Sequence, residues 1–194
     1  MKSVPKIFVI VFLITIFSCE QLFRENEKPI NPSDIHWELP TESNTVFENM
    51  TDAFQYREYD SYIKCFSDSA SNNGVKFIFI PTATVDNPDK FLNWGRVEEL
   101  VFFQNILSSC SKDSIFQMNI LDKIKLNSFG DSVQYNIEYE IKIHHDYDNL
   151  NNKFIGSANI MLMKNPQNYW VIYYFEDISI SEVLPNWTDL KEYF

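Results

Sequence analysis

In the run Phe116, Met118, Ile120, Asp122, Ile124 and Leu126, every second residue is apolar except one. A strand of that period buries one face, so Asp122 is aimed where a charged carboxylate is costly. Burial raises a carboxyl pKa, which suits a general acid or base near neutrality. The competing expectation is a bulge that turns Asp122 outward, or a lysine partner. Glu176 and Asp177 pose the same question near the end of "YWVIYYFEDI". Adjacent strand residues point to opposite faces, so one of the two faces inward. Tyr56, Tyr59 and Tyr62 offer phenolic donors, but they also fit as amphipathic tyrosines at a core edge. His144-His145-Asp146-x-Asp148 has metal-binding residue types. Neighbours on a regular strand diverge, so the two histidines do not share a metal, and the cluster reads as a hairpin tip. With four glycines in the chain, a phosphate-cradling loop is not expected. No paired-cysteine zinc spacing and no Ser-His-Asp arrangement stands out. No metal and no cofactor is expected.

The elements that position these groups can be read from periodicity. Thr45-x-x-Glu48 fits a capping box, with Asn44 or Thr45 as the cap. Phe47, Met50, Phe54, Ile63 and Phe66 fall near one helical face, predicting a helix to about Asp68. "SNNG" turns the chain, and "VKFIFIP" at 75–81 is a short strand stopped by Pro81. "DNPDKFLNWG" reads as a loop or a short helical turn, and 96–107 as a second helix. The period then changes to two. After the strand carrying Asp122, "NSFGDS" turns the chain into 132–145, where Val133, Tyr135, Ile137, Tyr139, Ile141 and Ile143 alternate with polar residues. "KFIGSANIMLMK" and "YWVIYYFEDI" complete a meander. Helices followed by long strands give an α+β class. Fully extended, 132–145 would reach about 47 Å, whereas a compact domain of this size is about 40 Å across. The strand must therefore bend and wrap round the helices. The expected shape is a cone-like roll, with N-terminal helices in the concave face of a curved antiparallel sheet.

This order, with "AFQYREYDSYIKCFSD", "FIFIP", "VEELVFFQNIL", "GSANIML" and "YWVIYYFEDI", resembles the nuclear transport factor 2-like superfamily of α+β rolls. That superfamily also holds ketosteroid isomerase and scytalone dehydratase, and the resemblance spans residues 45–180. It implies a cone with an interior that can be lined by Tyr59, Tyr62, Trp94, Asp122, Tyr135, Tyr139, Trp170 and Glu176. The isomerases of the superfamily use a carboxylate base with a neutral acid and a tyrosine as oxyanion donors, but those roles do not map onto particular residues here. One fold hosts many functions, so activity does not follow from the resemblance.

The N-terminus carries a different signal. Lys2 and Lys6 precede Ile7–Phe17, an apolar run broken only by Thr15. As a helix it reaches roughly 16 Å, too short for a hydrocarbon core of about 30 Å, so it reads as a secretory signal. It ends in Ile16-Phe17-Ser18-Cys19, which resembles the bacterial lipobox, although Phe17 is bulkier than the usual residue there. The resemblance implies lipidation of Cys19 after cleavage. The expected organisation is a signal peptide at 1–18, a charged, proline-containing tether at 19–40 and the roll at 41–194. The place is the bacterial cell envelope, with the domain lipid-anchored outside the cytoplasm. The formal net charge of −11, more negative without Lys2 and Lys6, argues against nucleic acid as a partner. An apolar content of 45% supplies a core. Cys65 and Cys110 either form a disulfide or stay as buried thiols.

Two functional classes follow. One is a non-catalytic envelope lipoprotein that binds a small apolar ligand or a protein. The other is an isomerase- or dehydratase-like enzyme using Asp122 or Glu176. A cone plugged by Phe and Trp side chains favours the first. A homodimer is expected through the sheet, because Ile155, Met161 and Met163 leave apolar surface opposite the helix-facing side. The tail "SEVLPNWTDLKEYF" is the alternative cover for that surface.

Overall fold

The computed structural model describes residues 37–145 and 147–194. The expectations for the signal peptide, Cys19 and most of the tether lie outside the described residues. The first helix, α1, is Ser43–Gln55, with Val46, Phe47, Met50, Ala53 and Phe54 buried along one stripe. It starts two residues before Thr45, and its N-cap is Glu42 with no side-chain cap bond, so the expected capping box does not form. The helix also does not continue to Asp68. Arg57 takes φ 63° and breaks it, and a short helix α2 follows at Tyr59–Lys64. That left-handed turn is held from outside. The Arg57 guanidinium donates to the Ser114 carbonyl at 2.8 Å and lies over the Phe116 ring at 5.0 Å.

Strand β1, Ile78–Ile80, and a 3₁₀ turn, Pro88–Phe91, precede α3, Arg96–Ser109. The meander is β2 Phe116–Phe129, β3 Ser132–Ile143, β4 Lys153–Lys164 and β5 Trp170–Ile178, closed by α4 at Trp187–Tyr193. The five strands lie in the order β1-β5-β4-β3-β2. All neighbours are antiparallel except β1, which pairs in parallel with β5. Gly130, at φ 55°, supplies the positive φ that the tight β2–β3 turn requires.

The alternation of β3 is as the sequence implies: Val133, Tyr135, Ile137, Tyr139, Ile141 and Ile143 are all buried. The helices supply aromatic rings to that face. Phe54 stacks on Phe116 at 4.5 Å, and Tyr62 on Phe103 at 4.1 Å. This is a curved mixed sheet wrapped on helices, an α+β cone. Register shifts fall between Ile120 and Asp122 and between Lys125 and Asn127 in β2, and opposite Met161 and Leu162 in β5, where Tyr173 is the extra residue. Each inserts one residue and reverses the faces beyond it.

The C-terminal segment runs past β4, where the Ile155 N–H donates to the Pro185 carbonyl at 2.8 Å. It turns into the cone, where Trp187 packs edge-on against Phe175 and Tyr139. Cys65 and Cys110 are both buried thiols rather than a disulfide, and burial pushes the Cys65 thiol well up.

Candidate functional site in the cone

Two buried carboxylates organise the interior. Glu99 sits on α3 in the stripe Glu99, Phe102, Phe103 and Ile106, all buried. Those positions, i, i+3, i+4 and i+7, share one helical face, so the acid is carried inward with the phenylalanines. Its Oε1 accepts from the Tyr62 hydroxyl at 2.7 Å. Its Oε2 accepts from Trp94 Nε1 at 2.8 Å and from Lys191 Nζ at 2.5 Å. Lys191 comes from α4 and is 1% exposed. Its ammonium lies 4.1 Å from the Phe102 ring centroid, 4.6 Å from Phe79, 4.9 Å from Trp94 and 5.4 Å from Trp187. Burial pulls the Lys191 pKa down to about 8, against the opposing pull of Glu99 and Asp177. Burial, with the Glu99 charge behind it, holds the Tyr62 phenol well above its ordinary range.

Asp177 is the second. It lies on β5 beyond the bulge, opposite Ala158 on the inner face. Its Oδ1 accepts from the Tyr139 hydroxyl at 2.5 Å, and its Oδ2 from the Thr188 N–H at 2.8 Å and hydroxyl at 2.7 Å. The Tyr139 oxygen in turn accepts from the Trp187 N–H at 2.8 Å. Burial raises the Asp177 pKa, and its hydrogen bonds oppose the rise. Tyr139 has room only because Gly156 faces it across the β3–β4 pair. A Cβ there would come within 2.2 Å of the tyrosine oxygen. The first turn of α4 is therefore stitched to β3 and β5 by side chains, and Lys191 stitches its last turn to α3.

The residues read from sequence separate into three groups. Tyr62, Trp94 and Tyr139 meet in these two networks. Tyr135 and Trp170 are buried elsewhere: the Tyr135 hydroxyl pairs with Ser43 Oγ at 2.7 Å, and the Trp170 N–H donates to the Pro40 carbonyl. Asp122, Glu176 and Tyr59 do not face the interior. Asp122 is exposed, because the extra residue Leu121 turns it outward beside Glu138. Glu176 lies on the outer face, where it accepts from Asn159 at 3.0 Å, because the β5 bulge exchanges it for Asp177. Tyr59 is 43% exposed at the start of α2. Of the histidine cluster, His144 is exposed and His145 is buried against the Asn151 carbonyl. Among the described residues no group of His, Cys, Asp and Glu could hold a metal ion.

Glu99 and Lys191 are the pair that sequence reading missed. Glu99 could have been found as the one acid in an otherwise apolar stripe. Lys191, at i+4 from Trp187 and i+1 from Leu190, gives no such signal. A cleft of about 790 Å³ lies on the other face of α4, lined by Phe154, Leu184, Asp189, Glu192 and Tyr193 among others. A groove of about 420 Å³ runs between α1 and β2 past Phe47 and Asp122. Neither reaches Glu99 or Asp177.

Comparison of this arrangement with solved structures finds nuclear transport factor 2-like proteins. A nuclear transport factor 2-like superfamily protein from Salmonella enterica superposes with TM-score 0.54 over 75% of this chain and 93% of its own, at 8% identity. The fold is that of the nuclear transport factor 2-like proteins. A ketosteroid isomerase-like protein from Erwinia carotovora matches with TM-score 0.51, covering 76% of this chain and 99% of its own at 12% identity. A nuclear transport factor 2-like protein from Shewanella oneidensis matches with TM-score 0.50, covering 70% and 94% at 14% identity. No protein-family model matches the sequence, and no curated protein matches it significantly. Identities this low carry the fold alone. The interior of this nuclear transport factor 2-like cone is read from its own residues, above all the helix α4 lodged inside it.

Proposed function

We propose that this chain is a membrane-anchored envelope lipoprotein whose nuclear transport factor 2-like domain is a non-catalytic module that binds a small ligand or a protein. One observation carries the non-catalytic part. The place where a cone would admit a substrate holds α4, and both interior carboxylates have their oxygens engaged by the chain's own donors. A general base needs a free lone pair within reach of substrate, and a filled cone offers none. Binding then falls to the surface. The cleft beside α4 combines Leu150, Phe154, Leu184 and Tyr193 with acidic residues, which suits a partly apolar guest. The outer face of β4 and β5 presents half-buried Ile155, Met161, Met163, Tyr173 and Tyr174, and α4 does not lie over it. That face is the proposed homodimer contact.

The anchoring part rests on Cys19 at the end of the apolar run Ile7–Phe17. Labelling of cells with an alkyne fatty acid should mark the wild type and not Cys19→Ser. An unlabelled wild type would sink the anchor and leave the reading of the cone intact.

A second reading has its own observation. Asp177, its pKa raised by burial, sits against a tyrosine hydroxyl, the kind of pair that donates hydrogen bonds to an oxyanion in isomerases of this superfamily. It requires α4 to leave the cone. Isomerase or dehydratase turnover that Asp177→Asn abolishes, with folding preserved, would favour it over the binding module.

A further inference from the structure

We propose that the cage around Lys191 is a binding site for a primary alkylammonium group, which the chain keeps filled with its own lysine. Three of the four rings, Phe79, Trp94 and Phe102, belong to β1, the turn before α3 and α3 itself, so they stand without α4. The carboxylate is equally independent of its guest, because Tyr62 and Trp94 hold both Glu99 oxygens in place. A carboxylate fixed at the floor of an aromatic box is how proteins recognise organic cations. The 2.5 Å contact to Glu99 requires an N–H donor, so a primary ammonium reproduces it and a quaternary one does not. The box also encloses the aliphatic stem, since the whole lysine is buried. A second feature marks α4 as a guest. Trp187 Nε1 is buried with no acceptor among the described residues, a cost carried on the inserted helix itself. Helix α4 is thus a built-in competitor for an amine. The cage lies on its buried face and does not depend on the cleft on its other side.

The test uses the full chain carrying Lys191→Ala, with n-butylammonium chloride as the probe and n-butanol as its uncharged counterpart. The expected result is a Tm rise of about 3–6 °C for Lys191→Ala with the amine at tens of millimolar, and none with the alcohol. Wild type and Lys191→Met should not respond, because a tethered side chain outcompetes or fills the cage. Adding Glu99→Gln to Lys191→Ala should remove the response. If Lys191→Ala folds and ignores the amine, or responds equally to butanol, the proposal is wrong. If it does not fold alone, recovery of its circular dichroism on refolding with the amine supports the site. Failure to refold with the amine overturns it.

Discussion

A bulge in β2 at Leu121 and one in β5 at Tyr173 do opposite things to a carboxylate. In β2, at the sheet edge, Leu121 turns Asp122 out to solvent beside Glu138. In β5, between β1 and β4, the extra Tyr173 brings Asp177 in and sends Glu176 out. The device is the same, and the surroundings decide what it produces. From its first bulge onward β2 presents exposed Leu121, Ile124, Leu126 and, 72% exposed, Phe129. Beyond its bulge β5 is roofed by α4, so the residue brought inward must be hydrogen-bonded or neutralised. Asp177 is given Tyr139 and Thr188. A carboxylate in a strand thus has an environment set by the neighbouring layer as much as by its own alternation.

Removing the roof should have the largest effect on that contrast. Trp187 is 1% exposed and fills the space over Tyr139 and Phe175. Trp187→Ala should cost about 3–5 kcal/mol in urea unfolding. A loss below about 1 kcal/mol would mean that α4 does not close the cone. Asp177→Ala comes next. It leaves the Tyr139 hydroxyl and two Thr188 donors without their acceptor, and should cost about 2–4 kcal/mol. Asp122→Ala, the matching change at the other bulge, should stay within about 0.5 kcal/mol. Equal losses at the two sites would erase the comparison.

A smaller effect separates the two interior networks by pH. The Lys191 pKa is about 8 when folded and 10.5 in the ordinary state. Between these values the unfolded chain holds the extra proton, so the contribution of this group to stability rises with pH. That contribution is present above 10.5 and lost as pH falls through about 8. Glu99 and Asp177 are the acids that act on the ammonium, and both are retained in Lys191→Met. The unfolding free energy of wild type minus that of Lys191→Met should therefore increase from pH 7.5 to 10. A flat difference would mean that Lys191 is not buried as an ammonium.

Much of the frame was legible in the sequence. The period-two run at 133–143 and the apolar helix at 96–107 mark β3 and α3 because each is half-buried along a regular backbone, and the run at 116–126 marks β2 although register shifts interrupt it. The break at Arg57 was not legible, since a left-handed arginine is held by Ser114 and Phe116, far away in sequence. The placing of the bulges was only partly legible, since a bulge at Asp122 was one of two expectations and the one in β5 gave no signal. An inserted residue leaves the apolar count unchanged while reversing the faces, so the sequence left open whether a bulge turns Asp122 outward and which of Glu176 and Asp177 faces inward. Glu99 was visible in its stripe, but its partner arrives from α4, and only the folded chain brings Lys191 to it.

Hydrogen exchange at α4 tests most directly whether the cone is closed by its own chain. The Trp187 and Thr188 amides donate to Tyr139 and Asp177, both buried. They should exchange at least about 100-fold more slowly than the amides of Ile180 and Val183 in the exposed loop before α4. Exchange of Trp187 and Thr188 as fast as that loop, with β3 and β4 still protected, would contradict a cone filled by α4.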